Sequence, residues 1–361
     1  MEYFETLIIG GGPAGTAAGI SLLKKGKKCC IVDKQSFPRD KTCGGLLSQK
    51  TLDILSDLVS SADLTSFYIN KTNRISIRKK NKPVSTFDCE NDFYLTNRML
   101  FDNLLIEEFK RLGGVIFENE LVENIDSLKK VISTKKELSI GYKYLIFADG
   151  AKGISNKIVG KKNMGITIEA DIPVDLFKFD NHTICIDFGL KSAGYGWIFP
   201  KNEYATVGIG CPYKKGENYL KKFKKYLAYC GINKDIPVRI KGANLPYWPN
   251  SDDASCQEFN ALLVGDAAGM VDALTGEGIY FALKSGMLAA EAIAAEENVL
   301  DNYQEMCKPV YKLIKDSHKK GAFFYKYKHI LILLAKNKEH KLARFCDKNV
   351  AYYNAPNGIP I

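Results

Sequence analysis

Two glycine-rich segments hold the residues best suited to chemistry. The first is Gly10-Gly11-Gly12-Pro13-Ala14-Gly15, a G-x-G-x-x-G pattern between a strand-like and a helix-like run. Gly10 permits a tight turn. Gly12 lets backbone approach a pyrophosphate, and Gly15 lets helix pack on strand. Pro13 and Ala14 open a helix whose N-terminus faces the phosphate charge. Asp33 ends the next strand, 18 residues after Gly15, placed to accept hydrogen bonds from an adenosine ribose. Such a pattern alone is common in ordinary turns; the strand, helix and acid in position set this one apart. The second segment is Gly265-Asp266-Ala267-Ala268-Gly269, then Gly276-Glu277-Gly278-Ile279. An apolar strand ending in Gly-Asp can aim Asp266 at a ribityl hydroxyl. Gly276, Gly278 and Ile279, opening a helix, can present N–H groups to the side of an isoalloxazine that gains negative charge on reduction. Together the two segments predict non-covalent FAD.

The elements that must position these residues follow from periodicity. Residues 3–33 read strand, helix, strand, a βαβ unit. Leu100, Leu104, Leu105, Phe109 and Leu112 mark an amphipathic helix over 95–112, stopped by Gly113-Gly114. Residues 115–117, 145–148 and 261–264 read as further strands, and 278–295 as a helix. Residues 165–245 alternate short β-rich runs with Gly, Pro and Asn, as an antiparallel sheet does, interrupted by a Lys-rich helix near 219–230. The tail from 301 reads as helical. The fold class is therefore α/β: a Rossmann-type FAD-binding domain with an inserted antiparallel-sheet substrate domain and a helical C-terminal tail. The expected FAD-binding domain is discontinuous, 1–70, 95–160 and 255–300. The substrate sheet takes 71–94 and 161–254, and the helical region 301–361.

Composition narrows the class. With 46% apolar and 25% charged residues the chain is an ordinary globular protein. There is no signal-peptide pattern and no apolar run near the ~20 residues of a membrane-spanning helix. Ten cysteines are scattered without a Cys-x-x-Cys pair, which predicts reduced thiols in the cytoplasm and no metal site. None of the four histidines falls in a ligand or triad pattern. Net charge is +10, and residues from 301 onward hold twelve Lys/Arg against five Asp/Glu. That excess suits an anionic lipid surface, an acidic substrate or nucleic acid, or is simply a solvated face.

Further motifs carry a resemblance. Phe37-Pro38-Arg39-Asp40-Lys41-Thr42-Cys43-Gly44-Gly45 is similar to a P-R-x-K-x-C-G-G segment. Tyr195-Gly196-Trp197-Ile198-Phe199-Pro200, followed by Gly208-Ile209-Gly210, fits Y-x-W-x-F-P then G-x-G. With the two glycine-rich segments, these resemble the geranylgeranyl reductase family, flavoproteins that share the para-hydroxybenzoate hydroxylase fold. The match runs from Met1 to about Ala295. The family commonly has a proline shortly after its Gly-Asp segment, where Ala273-Leu274 stands here. The resemblance implies a cofactor set that adds Lys34, Cys43, Gly44, Arg98, Val122 and Asp149 to Gly10, Gly12, Pro13, Ala14, Gly15, Asp33, Gly265, Asp266, Gly276, Gly278 and Ile279. It also implies that Tyr195, Trp197, Phe199 and Pro200 line a pocket for an apolar chain. By alternation the three aromatics share one strand face, which in general is more often core than wall, and Pro200 would end the strand. The resemblance places Cys43 near the flavin ring. There its thiol either relays a proton or is a small spacer that permits close packing.

The activity implied is reduction of carbon–carbon double bonds in an isoprenoid or other apolar lipid-like substrate by hydride from reduced flavin. An isolated alkene also needs a proton source, with Cys43 the candidate. The electron donor is open between NAD(P)H and ferredoxin, a reductant protein. The location implied is cytoplasmic, with the inner membrane face as the surface the basic tail would meet and no nucleic acid as partner. Two other readings stand beside this one. One is a flavin monooxygenase, a hydroxylase sooner than a halogenase. The other is a non-catalytic prenyl-lipid carrier.

Overall fold

The computed structural model describes residues 1–361 apart from 61–63, 65, 159–161, 192, 234, 236, 250–253 and 349–361. In chain order β1 (Glu2–Ile9), α1 (Pro13–Lys24) and β2 (Cys29–Val32) come first. Then follow β3 (Leu46–Leu47), α2 (Gln49–Leu58), the hairpin β4 (Asn70–Lys79) and β5 (Lys82–Leu95), α3 (Arg98–Arg111) and β6 (Val115–Phe117). A meander of β7 (Val122–Asp126), β8 (Val131–Thr134) and β9 (Ser139–Phe147) leads to the short α4 (Ser155–Ile158). Next come β10 (Lys162–Pro173), β11 (Ile184–Asp187), β12 (Tyr195–Lys201), β13 (Tyr204–Pro212), α5 (Tyr219–Tyr229) and β14 (Lys241–Pro249). The chain closes with β15 (Ser255–Cys256), β16 (Ala261–Leu263), α6 (Ile279–Ala295), α7 (Val299–Leu334) and α8 (Glu339–Cys346).

Two sheets result. The first runs β15-β16-β9-β1-β2-β6, with β7 and β8 attached beyond β9. Its centre is parallel: β1 pairs with β2 and β9, and β9 with β16. Helices cover it, so all four residues of β2 and the last four of β1 are buried, and the pattern is continuous rather than alternating. Between sheet and helices, α1 is buried nearly all round against α6 and α3, which is why it is built from Ala and Gly. Asn97 caps α3 by accepting the Leu100 N–H at 3.0 Å.

The second sheet runs β14-β10-β13-β12-β11-β4-β5-β3. Three particulars differ from the sequence expectation. The sheet is not wholly antiparallel, because β11 returns beside β4 in parallel after the chain has passed through the first sheet. It also takes in β3, from the 1–70 stretch assigned to the other sheet. Pro200 does not end β12. It sits inside the strand opposite Ala205, and β12 continues to Lys201. The aromatics of β12 face a core shared with β4 and β5.

Candidate active site

The turn after β1 is closed by its own backbone. Gly10 takes φ +107°, and a Cβ there would lie 2.4 Å from the Ala148 carbonyl oxygen. A Cβ on Gly15 would lie 1.9 Å from the Gly10 oxygen, so α1 begins as close to the strand as glycine allows. Over Gly12 stand two guanidinium groups. A Cβ on Gly12 would be 3.4 Å from Arg39 Nη2 and 4.0 Å from Arg98 Nη2. Arg98 forks onto Asp102 with two bonds of 2.6 Å, and Arg39 Nη2 lies 3.3 Å from the same carboxylate. Two buried cations thus share one anion at a helix N-terminus. Burial pulls the Arg39 pKa down. Burial works against Arg98 too, but Asp102 beside it holds its pKa up. Lys41 is a third cation. It projects into the cavity, where its surface is accessible, yet the protein around it depresses its pKa, Arg98 adds to that and Asp266 opposes it. Arg39 Nε is buried with no partner among the described residues. This surplus of positive charge fits the pyrophosphate of a dinucleotide.

The predicted ribose acid, Asp33, is buried and accepts the Gly11 N–H at 2.7 Å and the Gln35 N–H at 2.8 Å. Both oxygens therefore tie the turn, with lone pairs left over. Lys34, next to it, is exposed, and Val122 is buried in the core of the first sheet. Neither is among the described residues that line the cavity below. Asp149 accepts from the Ser155 N–H at 2.8 Å and the Ser155 hydroxyl at 2.6 Å, which fixes the loop after β9.

At the other end, β16 runs into Gly265, whose N–H donates to Ser285 Oγ of α6 at 2.9 Å. Asp266 lines the cavity, and a Cβ on Gly278 would be 3.7 Å from its Oδ1. The connection to α6 is braced from within. Asp272 is buried and accepts from the Leu274 and Thr275 N–H groups, each at 2.8 Å. Gly276, Gly278 and Ile279 then bring the N-terminus of α6 to the cavity wall.

One cavity of roughly 1890 Å³ joins these parts. It reaches from Gly12 past Cys43, Asp266 and Gly278 to Trp197 and Phe199, and on to Leu331 and Phe345 of the tail helices. Tyr195, Trp197 and Phe199 are both core and wall. Ring centroids are 5.9 Å apart along the row, and all three line the cavity while Trp197 and Phe199 are buried. The Tyr195 hydroxyl donates to the Thr275 carbonyl, tying the second sheet to the loop before α6, and burial raises its pKa. Pro200 is buried but not among the described lining residues. Gly44 lies against the row: a Cβ there would meet the Phe199 ring at 2.8 Å and Trp197 Nε1 at 3.3 Å.

Several charged residues at this wall escaped the sequence reading. Glu169 of β10 accepts the Cys43 N–H at 2.7 Å, and burial raises its pKa to about 7. Lys201, also buried, has its pKa lowered by desolvation. Glu277 pairs with Lys50 at 2.5 Å and accepts from Ser48 at 2.8 Å; burial raises its pKa against the pull of Lys50. Asp102 was readable as the i+4 partner of Arg98. Glu169 gave no signal, being one acid in an alternating strand far along the chain from Cys43.

A turn with surplus positive charge, an α6 N-terminus at the far end and one cavity between them define an FAD-dependent oxidoreductase. Residues 3–188 match the family model described as FAD binding domain, just over half of the chain. An uncharacterized protein of Methanosarcina barkeri is 32% identical over 90% of this chain and 84% of its own length. The digeranylgeranylglycerophospholipid reductase of Methanococcus vannielii is 26% identical over 97% and 92%. Among solved structures, a geranylgeranyl bacteriochlorophyll reductase-like protein from Thermoplasma acidophilum matches with TM-score 0.71 at 24% identity, over 96% of this chain and 91% of that one. A flavin-dependent brominase matches with TM-score 0.73 at 20% identity, over 95% and 93%. At these identities the structures speak for the fold. The chain belongs to the geranylgeranyl reductase family of FAD enzymes.

Proposed function

We propose that the protein saturates carbon–carbon double bonds in a polyisoprenoid chain carried on a lipid. The observation that carries this reading is the continuity of the cavity from the dinucleotide turn, across the aromatic row, to apolar walls on both the second sheet and the tail helices. Relatives named as reductases of digeranylgeranylglycerophospholipid and geranylgeranyl diphosphate support that substrate class.

Gly12, Arg39 and Arg98 would hold the pyrophosphate, Asp33 the ribose and Asp266 the ribityl chain. When bound, FAD would supply two electrons for the reduction, with NAD(P)H or a ferredoxin as the donor that would renew them. Trp197 and Phe199, with Ile75, Ile77, Phe87 and Phe93 behind them, would seat the chain and exclude water, which strengthens each charge interaction inside. The N–H groups at the start of α6 stabilise negative charge at their end of the cavity. A proton must reach the substrate carbon, and Cys43, which lines the cavity, would hold it. Tyr195 is committed to Thr275 and serves as a tie. Among the described residues no helix is long and apolar enough to cross a membrane. The basic tail would bring the cavity mouth to an anionic bilayer.

The test is anaerobic. The FAD-loaded protein is photoreduced and mixed with geranylgeranyl lipids, following flavin absorbance and product mass. Reoxidation with a mass gain of one H2 per bond is expected. Reoxidation only on admitting oxygen, whatever the lipid, would replace this reading with an oxygenase.

A further inference from the structure

The wall behind Cys43 holds an acid that the cofactor cradle does not use. Glu169 is 4% exposed. Its Oε1 accepts the Cys43 N–H at 2.7 Å, while Oε2 is buried and has no hydrogen-bond partner among the described residues. It is wedged under the aromatic row, since a Cβ on Gly208 would meet the Trp197 ring at 2.2 Å and Glu169 Cβ at 2.9 Å. A carboxylate left with a bare oxygen in such a place is unstable, and a protonated carboxyl is the form the surroundings favour.

We infer that Glu169 is a proton-storing positioning residue for Cys43: one oxygen fixes the loop that carries the thiol, and the other takes up and gives back the proton that governs the thiol's charge. The inference rests on the reading of Cys43 as the proton-holding group of a double-bond reductase. Saturating one double bond adds two electrons and two protons. The reduced cofactor accounts for both electrons and one proton, and the second proton leaves the Cys43 thiol. The thiolate takes a proton from the Glu169 carboxyl, and the carboxylate so formed is reprotonated from solvent reaching the cavity.

The charged neighbours fit this cycle. Lys201 of β12 and Lys241 of β14 favour the carboxylate and Asp171 of β10 disfavours it, while burial keeps its pKa raised to about 7. On the thiol side Arg98 and Lys201 lie close enough to interact with Cys43. The carboxyl therefore changes charge in the neutral range, beside the loop that carries the thiol.

The test reads the thiol directly. Cys43 in the FAD-loaded protein is alkylated with iodoacetamide over pH 6 to 9, and the rate is followed by mass spectrometry of its peptide, in wild type and Glu169→Gln. The amide keeps an acceptor for the Cys43 N–H but holds no charge. Below pH 7 both rates should agree within about twofold. Above it the variant should react roughly three- to tenfold faster, because no carboxylate opposes the thiolate. A rate ratio that stays flat across pH overturns the inference. So does wild-type protein that lacks a carboxyl infrared band titrating near pH 7 and lost in Glu169→Gln, a measurement that also serves if the variant binds FAD poorly. Neither readout uses the lipid substrate. Failure of the reductase assay with a pH-dependent ratio would sink only the assigned reaction.

Discussion

At the residue scale the site is a set of charges that the protein alone leaves unbalanced. Arg98 and Arg39 share Asp102 beneath the dinucleotide turn. Replacing Asp102 by Asn would take from both guanidinium groups the carboxylate they share, a change that costs about 3–5 kcal/mol in comparable buried pairs. Added FAD should recover part of that loss, since its pyrophosphate supplies negative charge. In urea unfolding the FAD-free D102N protein should therefore lose more stability than the FAD-saturated one. Equal losses would mean that the guanidinium groups do not face the cofactor. Glu169 carries the opposite imbalance. Its pKa is raised to about 7 in the folded protein from an ordinary 4.5. Between those values the folded chain keeps a proton that the unfolded chain has released, so stability falls as pH rises through that window and then levels. At 1.36 kcal/mol per unit the fall is roughly 3 kcal/mol. E169Q should lack that slope, with unfolding free energies at pH 5 and pH 8 as the check. The cofactor turn was legible because pyrophosphate binding imposes fixed glycine spacing on a contiguous segment. Glu169 was not, because its contact with Cys43 spans 126 residues and depends on how two sheets meet.

At the element scale, β12 joins the two halves of the site. Its aromatics lie over Gly44, and its first residue, Tyr195, donates to Thr275 in the loop that leads into α6. Alternation along the strand made the shared face readable. Burial alone made core and wall look like rival assignments, and the structure makes them one, because the row forms the floor of a cavity. The reading that Pro200 ends the strand failed for a backbone reason: proline lacks only a donor, and at that position the strand continues opposite Ala205. Tyr195→Phe should preserve the ring packing and remove the tie. A single neutral hydrogen bond is worth about 1 kcal/mol, so FAD affinity should weaken by roughly fivefold. Amide exchange over residues 272–278 should quicken, with α6 itself unchanged. Unaltered exchange there would show that Asp272, which already accepts two N–H groups of that loop, braces it without help.

At the scale of the whole molecule, net charge and the cavity walls supplied by the tail point the same way. The +10 of the chain is concentrated in its tail, and the structure sets that charge around an apolar face. On α7, Phe323, Ile330, Leu333 and Leu334 are 60%, 59%, 71% and 62% exposed, and Phe345 of α8 is 52% exposed. Phe323 lies seven residues before Ile330, and Leu333 and Leu334 lie three and four after it, which puts them along one side of the helix; Lys326 on α7, Lys336 just past its end, and Lys341 and Arg344 on α8 are exposed nearby. Leu331 and Ile332 of α7, Ala335 just past its end, and Leu342 and Phe345 of α8 line the cavity, so a surface that meets this face also meets the helices that wall it. An apolar strip rimmed by lysine is suited to lie in the interface of an anionic bilayer, each lysine adding roughly 1 kcal/mol. The protein should therefore sediment with vesicles rich in phosphatidylglycerol and far less with neutral phosphatidylcholine. K326E/K336E/K341E should lower that partition by about a hundredfold, and high salt should imitate it. L333S/L334S should weaken binding to both kinds of vesicle, because it removes apolar area and leaves charge unchanged. In all variants, reduction of a detergent-dispersed substrate should keep its wild-type rate while reduction of vesicle-borne substrate falls with binding. Wild-type partition in the lysine variant would leave the basic tail a solvated surface and require the lipid to reach the cavity by another path.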